Sequence, residues 1–212
     1  MKGQKMSLID LFTKGGPLMY VLLLFSIMTV AIIIEKIIEL RKASKLDKYF
    51  TVELNAMKNM AEMKHYFGST TIKSPLGRVI RKGFSLLDMG IEEARDAMIG
   101  TASIEIHTLE RHLGMLSTLS AVSPLVGFLG TVTGMVKVFQ KIQGNTAGVD
   151  ISLLAGGIWE ALLTTVGGLI VGIIALMFYN SLVTKTEAMT KIMEETSNDF
   201  LLRVKKELGK SE

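Results

Sequence analysis

Three long apolar runs without charge, separated by charged segments, dominate the pattern of the chain. The runs cover residues 17–34, 113–136 and 151–184, and the last contains one charged residue, Glu160. A helix needs about 20 apolar residues to cross a bilayer. The pattern therefore predicts an all-α membrane protein with three transmembrane helices, at residues 16–40, 113–140 and 152–184.

Two of the segments outside these runs are strongly charged and have helical periodicity. Residues 41–112 carry 12 basic and 9 acidic residues. They predict a cytoplasmic helical region with two amphipathic helices, at about 44–65 and 76–111, the second starting near Ser74 and Pro75. Residues 185–212 predict one amphipathic helix, because apolar residues recur in them at helical spacing. We expect these long helices to extend the membrane helices into a cytoplasmic bundle.

The remaining segments are short. Residues 1–15 predict an N-terminal interfacial segment with a helix from Leu8 to Lys14, capped by Ser7 and ended by the glycines and proline that follow. Residues 141–151 predict a short extracytoplasmic loop rich in small and polar residues.

The basic residues predict the orientation. The 41–112 segment and the tail together hold 18 of the 24 Lys and Arg residues, and such residues accumulate in cytoplasmic segments. This predicts a membrane protein with its N-terminus outside and its C-terminus in the cytoplasm. The same distribution explains the net charge of +4 without nucleic acid, for which the chain has no basic stripe with interleaved aromatics.

The sequence contains no motif that indicates enzyme activity or cofactor binding. The chain has no cysteine and no phosphate-binding, dinucleotide-binding or zinc-protease motif. His107 and His112 are five residues apart, a poor spacing for one helical face, so solvated or packed histidines are favoured over metal ligands. We expect no enzyme activity, no cofactor and no bound metal.

The second and third runs each carry a stripe of small and polar residues on one helical face. On the second the stripe includes Pro124, Gly127, Thr131 and Gly134, and on the third Ala161, Thr164, Thr165, Gly168 and Gly172. Hydroxyls gain nothing from lipid, so the stripes should face protein or water. Close packing through the GxxxG pairs Gly130/Gly134 and Gly168/Gly172 and the lining of a pore both fit this pattern.

Glu160 is the one charged residue of the third run. The 24 uncharged residues between Glu160 and Lys185 span about 36 Å of helix, more than a hydrocarbon core of about 30 Å. Glu160 is therefore expected at the outer boundary, as an interfacial carboxylate, an ion-pathway group or the partner of a cation on a neighbouring helix. No Asp, His, Lys or Arg lies deep in a run, so the titrating group of any proton pathway should belong to another chain.

Two segments carry a family likeness. The sequences SPLVGFLGTVTGM at 123–135 and AGGIWEALLTTVGGL at 155–169, followed by Tyr179 and Asn180, resemble the MotA/TolQ/ExbB proton channel family, most closely its ExbB/TolQ branch. The resemblance implies a homopentamer around a dimer of a single-span subunit, ExbD-, TolR- or MotB-like, which carries a membrane aspartate. It further implies that ion flow drives rotation of the pentamer and so does work in the cell envelope.

The resemblance assigns roles residue by residue. It implies that Thr131 and Thr165 line the ion path opposite the partner aspartate, that Glu160 is the third-span glutamate, and that Pro124 and Gly127 belong to the second-span motif. Gly134, Gly168 and Gly172 are expected to pack the helices around the partner.

Thr164 departs from the family pattern, which often has a small apolar residue there. An extra hydroxyl suits a sodium ion, so H⁺ is the expected ion and Na⁺ the alternative. A passive oligomeric scaffold that anchors a partner complex is the alternative function, and a self-sufficient channel is disfavoured by the lack of an internal titrating group.

Overall fold

The computed structural model describes residues 15–57, 59–143 and 151–208, and the regular secondary structure within these ranges is helix, without a strand. Its six helices are α1 Gly16–Ala56, α2 Met60–Ser69, α3 Pro75–Phe84, α4 Ile91–Glu110, α5 Leu113–Gln143 and α6 Ile151–Leu208. Three stretches are long and apolar enough to cross a membrane, within Gly16–Ala56, Ile91–Gln143 and Leu154–Glu207. The prediction of an all-α chain with three such helices is confirmed.

The first and third membrane helices continue without a break into charged sequence. Neither the stretch 18–56 nor the stretch 173–208 contains a glycine or a proline, the residues that most readily end a helix. As a result α1 is 41 residues long and α6 is 58 residues long. The charged tail is thus the end of α6 rather than a separate helix.

The segment between the first two membrane helices differs in detail from the sequence prediction. In place of one helix at 44–65, α1 runs on to Ala56 and α2 begins at Met60, where the Asn59 side chain accepts a hydrogen bond from the Glu62 amide at 2.9 Å. In place of one helix at 76–111, α3 ends at Phe84 and α4 begins at Ile91. Gly90 separates them with φ +141°, a conformation that side chains disfavour.

Other predictions concern residues outside the described ranges. They include the short N-terminal helix from Leu8 to Lys14 with its Ser7 cap and most of the predicted loop at 141–151. The part of that loop that the structure describes belongs to the ends of α5 and α6.

The chain divides into two compact units. The apolar unit comprises Met1–Ile34 and His112–Asn180, and the charged unit comprises Glu35–Arg111 and Ser181–Glu212. In the apolar unit the predicted lipid-facing sides of the helices are exposed, as shown by Leu125 at 64% and Met177 at 67%. Large apolar side chains left uncovered along helices of this length suit a lipid environment.

The charged unit contains a cluster of aromatic side chains and ion pairs on its surface. Phe67 contacts Phe50, Tyr66 and Phe84, with ring centroids 4.9–6.4 Å apart. On the surface, Arg78 of α3 forms a two-pronged ion pair with Glu105 of α4. These contacts hold α3 against α4 and the end of α2.

Two basic side chains in the charged unit cap the C-terminal ends of other helices. Lys36 is buried and donates to the Leu109 carbonyl near the end of α4 at 3.1 Å, while it also pairs with Glu39. Arg203 of α6 donates to the carbonyls of Leu54 and Met57, at the end of α1. The last carbonyls of a helix have no partner within the helix, and cations there are favourable.

A buried carboxylate accepts hydrogen bonds at the N-terminal end of α3. Asp47 of α1 accepts hydrogen bonds from the Ser74 hydroxyl at 2.6 Å and from the Leu76 amide at 3.0 Å. Ser74 in turn accepts from the Gly77 amide at 2.9 Å, so α3 begins at the predicted position. Burial raises the pKa of Asp47 above its ordinary value, although the hydrogen bonds from Ser74 and Leu76 oppose the change.

Candidate functional site between the second and third membrane helices

The backbones of α5 and α6 touch where the two glycine-rich stripes meet. A β-carbon built on Gly168 would lie 2.5 Å from the Ser123 carbonyl oxygen and 2.9 Å from the Gly127 Cα. One built on Gly127 would lie 2.9 Å from the Thr164 carbonyl oxygen. No side chain fits at either position without separating the helices, so these glycines set the distance between α5 and α6.

The contact continues in both directions along the two helices. Towards the end of α5, a β-carbon on Gly134 would lie 2.8 Å from the Ala161 side chain. Towards its start, one on Gly172 would lie 2.6 Å from the Pro124 ring and 3.0 Å from the Ser120 carbonyl oxygen. Pro124 lacks an amide hydrogen and cannot bond the carbonyl four residues earlier, that of Ser120, so Gly172 approaches α5 at a carbonyl that lacks this helical hydrogen bond.

Thr131 and Thr165 face each other in the middle of this contact. Their hydroxyl groups form a hydrogen bond between the two helices. Thr165 can also donate to the Gly127 carbonyl at 3.0 Å, and Thr131 to the Ala161 carbonyl at 3.2 Å. Each hydroxyl thus reaches a carbonyl that lies four residues before the opposite threonine, which makes the arrangement reciprocal.

The threonine pair remains accessible, since both side chains are only partly buried. Each hydroxyl has one hydrogen to donate and two lone pairs to accept, so the pair can pass on a hydrogen bond to a further group. It cannot hold a net charge. The charged residue that the second and third runs supply is Glu160, five residues before Thr165 on α6.

Thr164, by contrast, is used for packing. Its side chain is 2% exposed, and its hydroxyl donates to the Ala161 carbonyl of its own helix at 2.7 Å. It lies against Gly130, where a β-carbon would collide with the Thr164 side chain. Within one chain, the neighbouring threonines 164 and 165 therefore have different surroundings.

Glu160 has a cation on the neighbouring helix, which is one of the alternatives left open by the sequence. Its carboxylate lies 3.8 Å from the Lys137 ammonium of α5, and the two side chains are 35% and 55% exposed. The carboxylate also lies against Gly16 at the start of α1, so that a side chain at that position would collide with it. Glu160 therefore lies between the Lys137 ammonium and the first turn of α1.

The structure brings together most of the residues that the sequence singled out. Thr131, Thr165, Gly127 and Gly168 lie at one contact, while Glu160 lies further along α6 towards its start. Sequence reasoning missed Lys137 and Gly16 as neighbours of Glu160. The sequence offers one indication of a cation near Glu160, since Lys137 is the first charged residue after the second run.

Comparison with known proteins gives a consistent result over most of the chain. Residues 71–195 match the MotA/TolQ/ExbB proton channel family. The Synechocystis protein ExbB-like 1 is 31% identical over 84% of this chain and 71% of its own length. The Tol-Pal system protein TolQ of Haemophilus influenzae is 30% identical over 87% of this chain and 88% of its own. The biopolymer transport protein exbB1 of Vibrio cholerae is 26% identical over 79% of this chain and 75% of its own.

Proposed function

We propose, from the finding that this chain belongs to the MotA/TolQ/ExbB proton channel family, that it is the channel subunit of an ion-driven motor in the inner membrane. In this proposal the chain converts the proton motive force into mechanical work, together with a single-span ExbD- or TolR-like subunit. The names of its relatives, a biopolymer transport protein and a Tol-Pal system protein, support a role in an energy-transducing complex of this kind.

The observation that carries the proposal is the accessible threonine pair. Thr131 and Thr165 present two hydroxyls in hydrogen-bond contact on helices that otherwise pack through glycine. A carboxylic acid from a partner helix can exchange hydrogen bonds with such a pair in either protonation state, because a hydroxyl both donates and accepts. The threonines would position the acid, and the acid would carry the proton.

Glu160 has a second role in the proposal. Its carboxylate lies beside Lys137 and the start of α1, about five residues, or roughly 7 Å along the helix, before Thr165. A partly exposed carboxylate at this distance can attract cations to the threonine pair. The expected side is extracytoplasmic, with the charged unit and the C-terminus in the cytoplasm, in agreement with the distribution of Lys and Arg.

The proposal includes a homopentamer around the partner. The exposed apolar residues of α5 and α6 provide surface for neighbouring copies as well as for lipid, and a ring would place several threonine pairs around one partner. The proposed ion is H⁺, with Na⁺ as the alternative, because the extra hydroxyl at Thr164 is buried against Gly130 rather than open to an ion path.

The test is proton flux in three kinds of liposome. The first contains the purified chain and its proposed partner, the second contains the chain alone, and the third contains the chain and a partner whose membrane aspartate is replaced by asparagine. Acidification reported by a trapped dye is expected only with the intact partner. Flux with the chain alone would favour a self-sufficient channel. Assembled complexes that pass no protons and support no envelope function in cells would favour the passive scaffold.

A further inference from the structure

A basic cavity of about 470 Å³ lies between α1 and α6 in the charged unit. Four cationic side chains line it, Arg41, Lys45 and Lys48 from α1 and Lys185 from α6, and none of its eleven lining residues is acidic. All four side chains are exposed. The volume lies within the range of small-molecule sites, about 300 to 1,000 Å³.

The four cations have no carboxylate partner among the residues that the structure describes. The ion pairs of the charged unit involve other residues, such as Lys36 with Glu39 and Arg78 with Glu105. Lys45 lies over the Tyr49 ring, 5.9 Å from its centroid, which leaves its charge uncompensated. Four like charges around one cavity repel each other, and an anion between them would remove that repulsion.

The floor of the cavity is apolar. Leu40 and Leu182 are 3% and 2% exposed, and Met189 is 6% exposed. Ile37 lines the cavity at its end nearest the apolar run of α1. An occupant therefore needs an anionic group for the rim and hydrocarbon for the floor. A free inorganic anion has no hydrocarbon.

The cavity begins close to the headgroup level of a bilayer. Lys185 is the residue directly after the uncharged run of α6, and Arg41 follows the uncharged run of α1 by seven residues, about 10 Å of helix. Lys45 and Lys48 lie about one and two turns further along α1, away from the apolar run. Long basic side chains at this level extend their charges towards the lipid phosphates. Basic pockets between helices at a membrane surface are suited to anionic lipid headgroups.

We propose that this cavity is a binding site for an anionic phospholipid of the adjacent leaflet. The phosphate lies between Arg41 and Lys185, with Lys45 and Lys48 further from the apolar run, and an acyl chain lies along Leu40, Leu182 and Ile37. The site is separate from the threonine pair and does not depend on the proposed channel function. A bound lipid would offset part of the positive charge of the rim and link α1 to α6 at the membrane surface.

The test is native mass spectrometry of the full-length chain in detergent, titrated with phosphatidylglycerol, cardiolipin or phosphatidylcholine. Both anionic lipids are expected to bind at lower concentration than phosphatidylcholine. The double variant Arg41→Gln/Lys185→Gln should weaken phosphatidylglycerol binding roughly 30-fold, since each cation near a membrane surface contributes about a factor of five. The matched control, Lys42→Gln/Lys191→Gln, removes two exposed charges from the same helices outside the cavity and should bind like the wild type.

A second variant keeps all four charges and fills the cavity with a large side chain. Ala188 is an exposed residue of the cavity lining, and Ala188→Trp should lower anionic lipid occupancy without a change in net charge. Equal binding by the charge variant and its control, or displacement of the lipid by millimolar inorganic phosphate, would overturn the proposal. A charge variant that alters the number of chains in the complex while lipid binding stays constant would instead make the cavity an interface between copies.

Discussion

The hydroxyl groups of Thr131 and Thr165 hydrogen-bond to each other across the contact between the second and third membrane helices. The pair lies among glycines that bring the two backbones together, so its geometry is fixed by the packing around it. A hydroxyl pair held in this way can orient a titrating group that another chain supplies.

The hydrogen bond between the threonines should contribute modestly to stability. Thr131→Val and Thr165→Val keep the side-chain volume but remove the hydroxyls. A double-mutant cycle of thermal unfolding in detergent should give a coupling of roughly 0.5 to 1.5 kcal/mol, with the complex still assembled. Thr133→Val is the control, because the Thr133 hydroxyl bonds its own helix. A coupling near zero would mean that the hydroxyls do not interact.

The glycines of the α5–α6 contact should not tolerate alanine. Gly127→Ala and Gly168→Ala each place a methyl group within 3 Å of backbone atoms, and overpacking of this kind costs about 1 to 3 kcal/mol. Gly114 and Gly156 have open space at the same position, so alanine there should be neutral or stabilise the helix by up to about 1 kcal/mol. Chemical unfolding in mixed micelles measures both sets. Equal effects would contradict the close approach of the two helices.

Arg203 should stabilise the charged unit through the end of α1. Arg203→Gln removes the guanidinium that donates to the Leu54 and Met57 carbonyls, and we expect a loss of about 1 to 3 kcal/mol. Arg95→Gln is the matched control, since its pair with Glu92 is exposed and should be worth less than about 1 kcal/mol. Circular dichroism during thermal unfolding would reveal the difference. Similar losses for the two variants would rule out the capping role.

Asp47 should give the charged unit a component of stability that increases towards acid. Burial raises its pKa in the folded chain, so folding favours its protonated form. That contribution is fully present below the unfolded pKa, near 3.8, and is lost as the pH rises through the folded pKa. The unfolding temperature of the wild type relative to Asp47→Asn should therefore increase when the pH falls from neutral. A decrease over that range would contradict the assignment.

The ion should be H⁺ rather than Na⁺. The Thr164 hydroxyl is bonded within its own helix and buried against Gly130, so it is poorly placed to replace the water around a sodium ion. Thr164→Val keeps the packing volume and should leave flux unchanged in liposomes with either a proton or a sodium gradient. A sodium-dependent flux that this substitution removes would establish the alternative.

The sequence was most informative where one helix contacts its sequence neighbour in the membrane. The helical periodicity of residues 113–136 and 151–184 placed Thr131 and Thr165 on facing stripes, because a period of 3.6 residues fixes which side chains share a face. It could not separate Thr164 from Thr165, since neighbours differ by only 100° and the exact rotation of α6 depends on how Gly127 and Gly168 pack.

The charged unit was less predictable because its contacts join distant parts of the chain. Asp47 accepts a hydrogen bond from the cap residue Ser74, 27 residues later, and Arg203 bonds carbonyls almost 150 residues earlier. No local pattern encodes such pairs. The break between α3 and α4 had one local signal, Gly90, in a sequence that otherwise favours a continuous helix.

A role of the threonine pair in ion transfer can be measured as proton flux through liposomes that contain the chain with the proposed single-span partner, compared among wild type, Thr165→Val and Thr165→Ser. We expect flux in the wild type, loss of most of it in the valine variant with the complex intact, and substantial recovery with serine, which restores the hydroxyl. Equal flux in the wild type and the valine variant would contradict a role for the threonine pair in ion transfer.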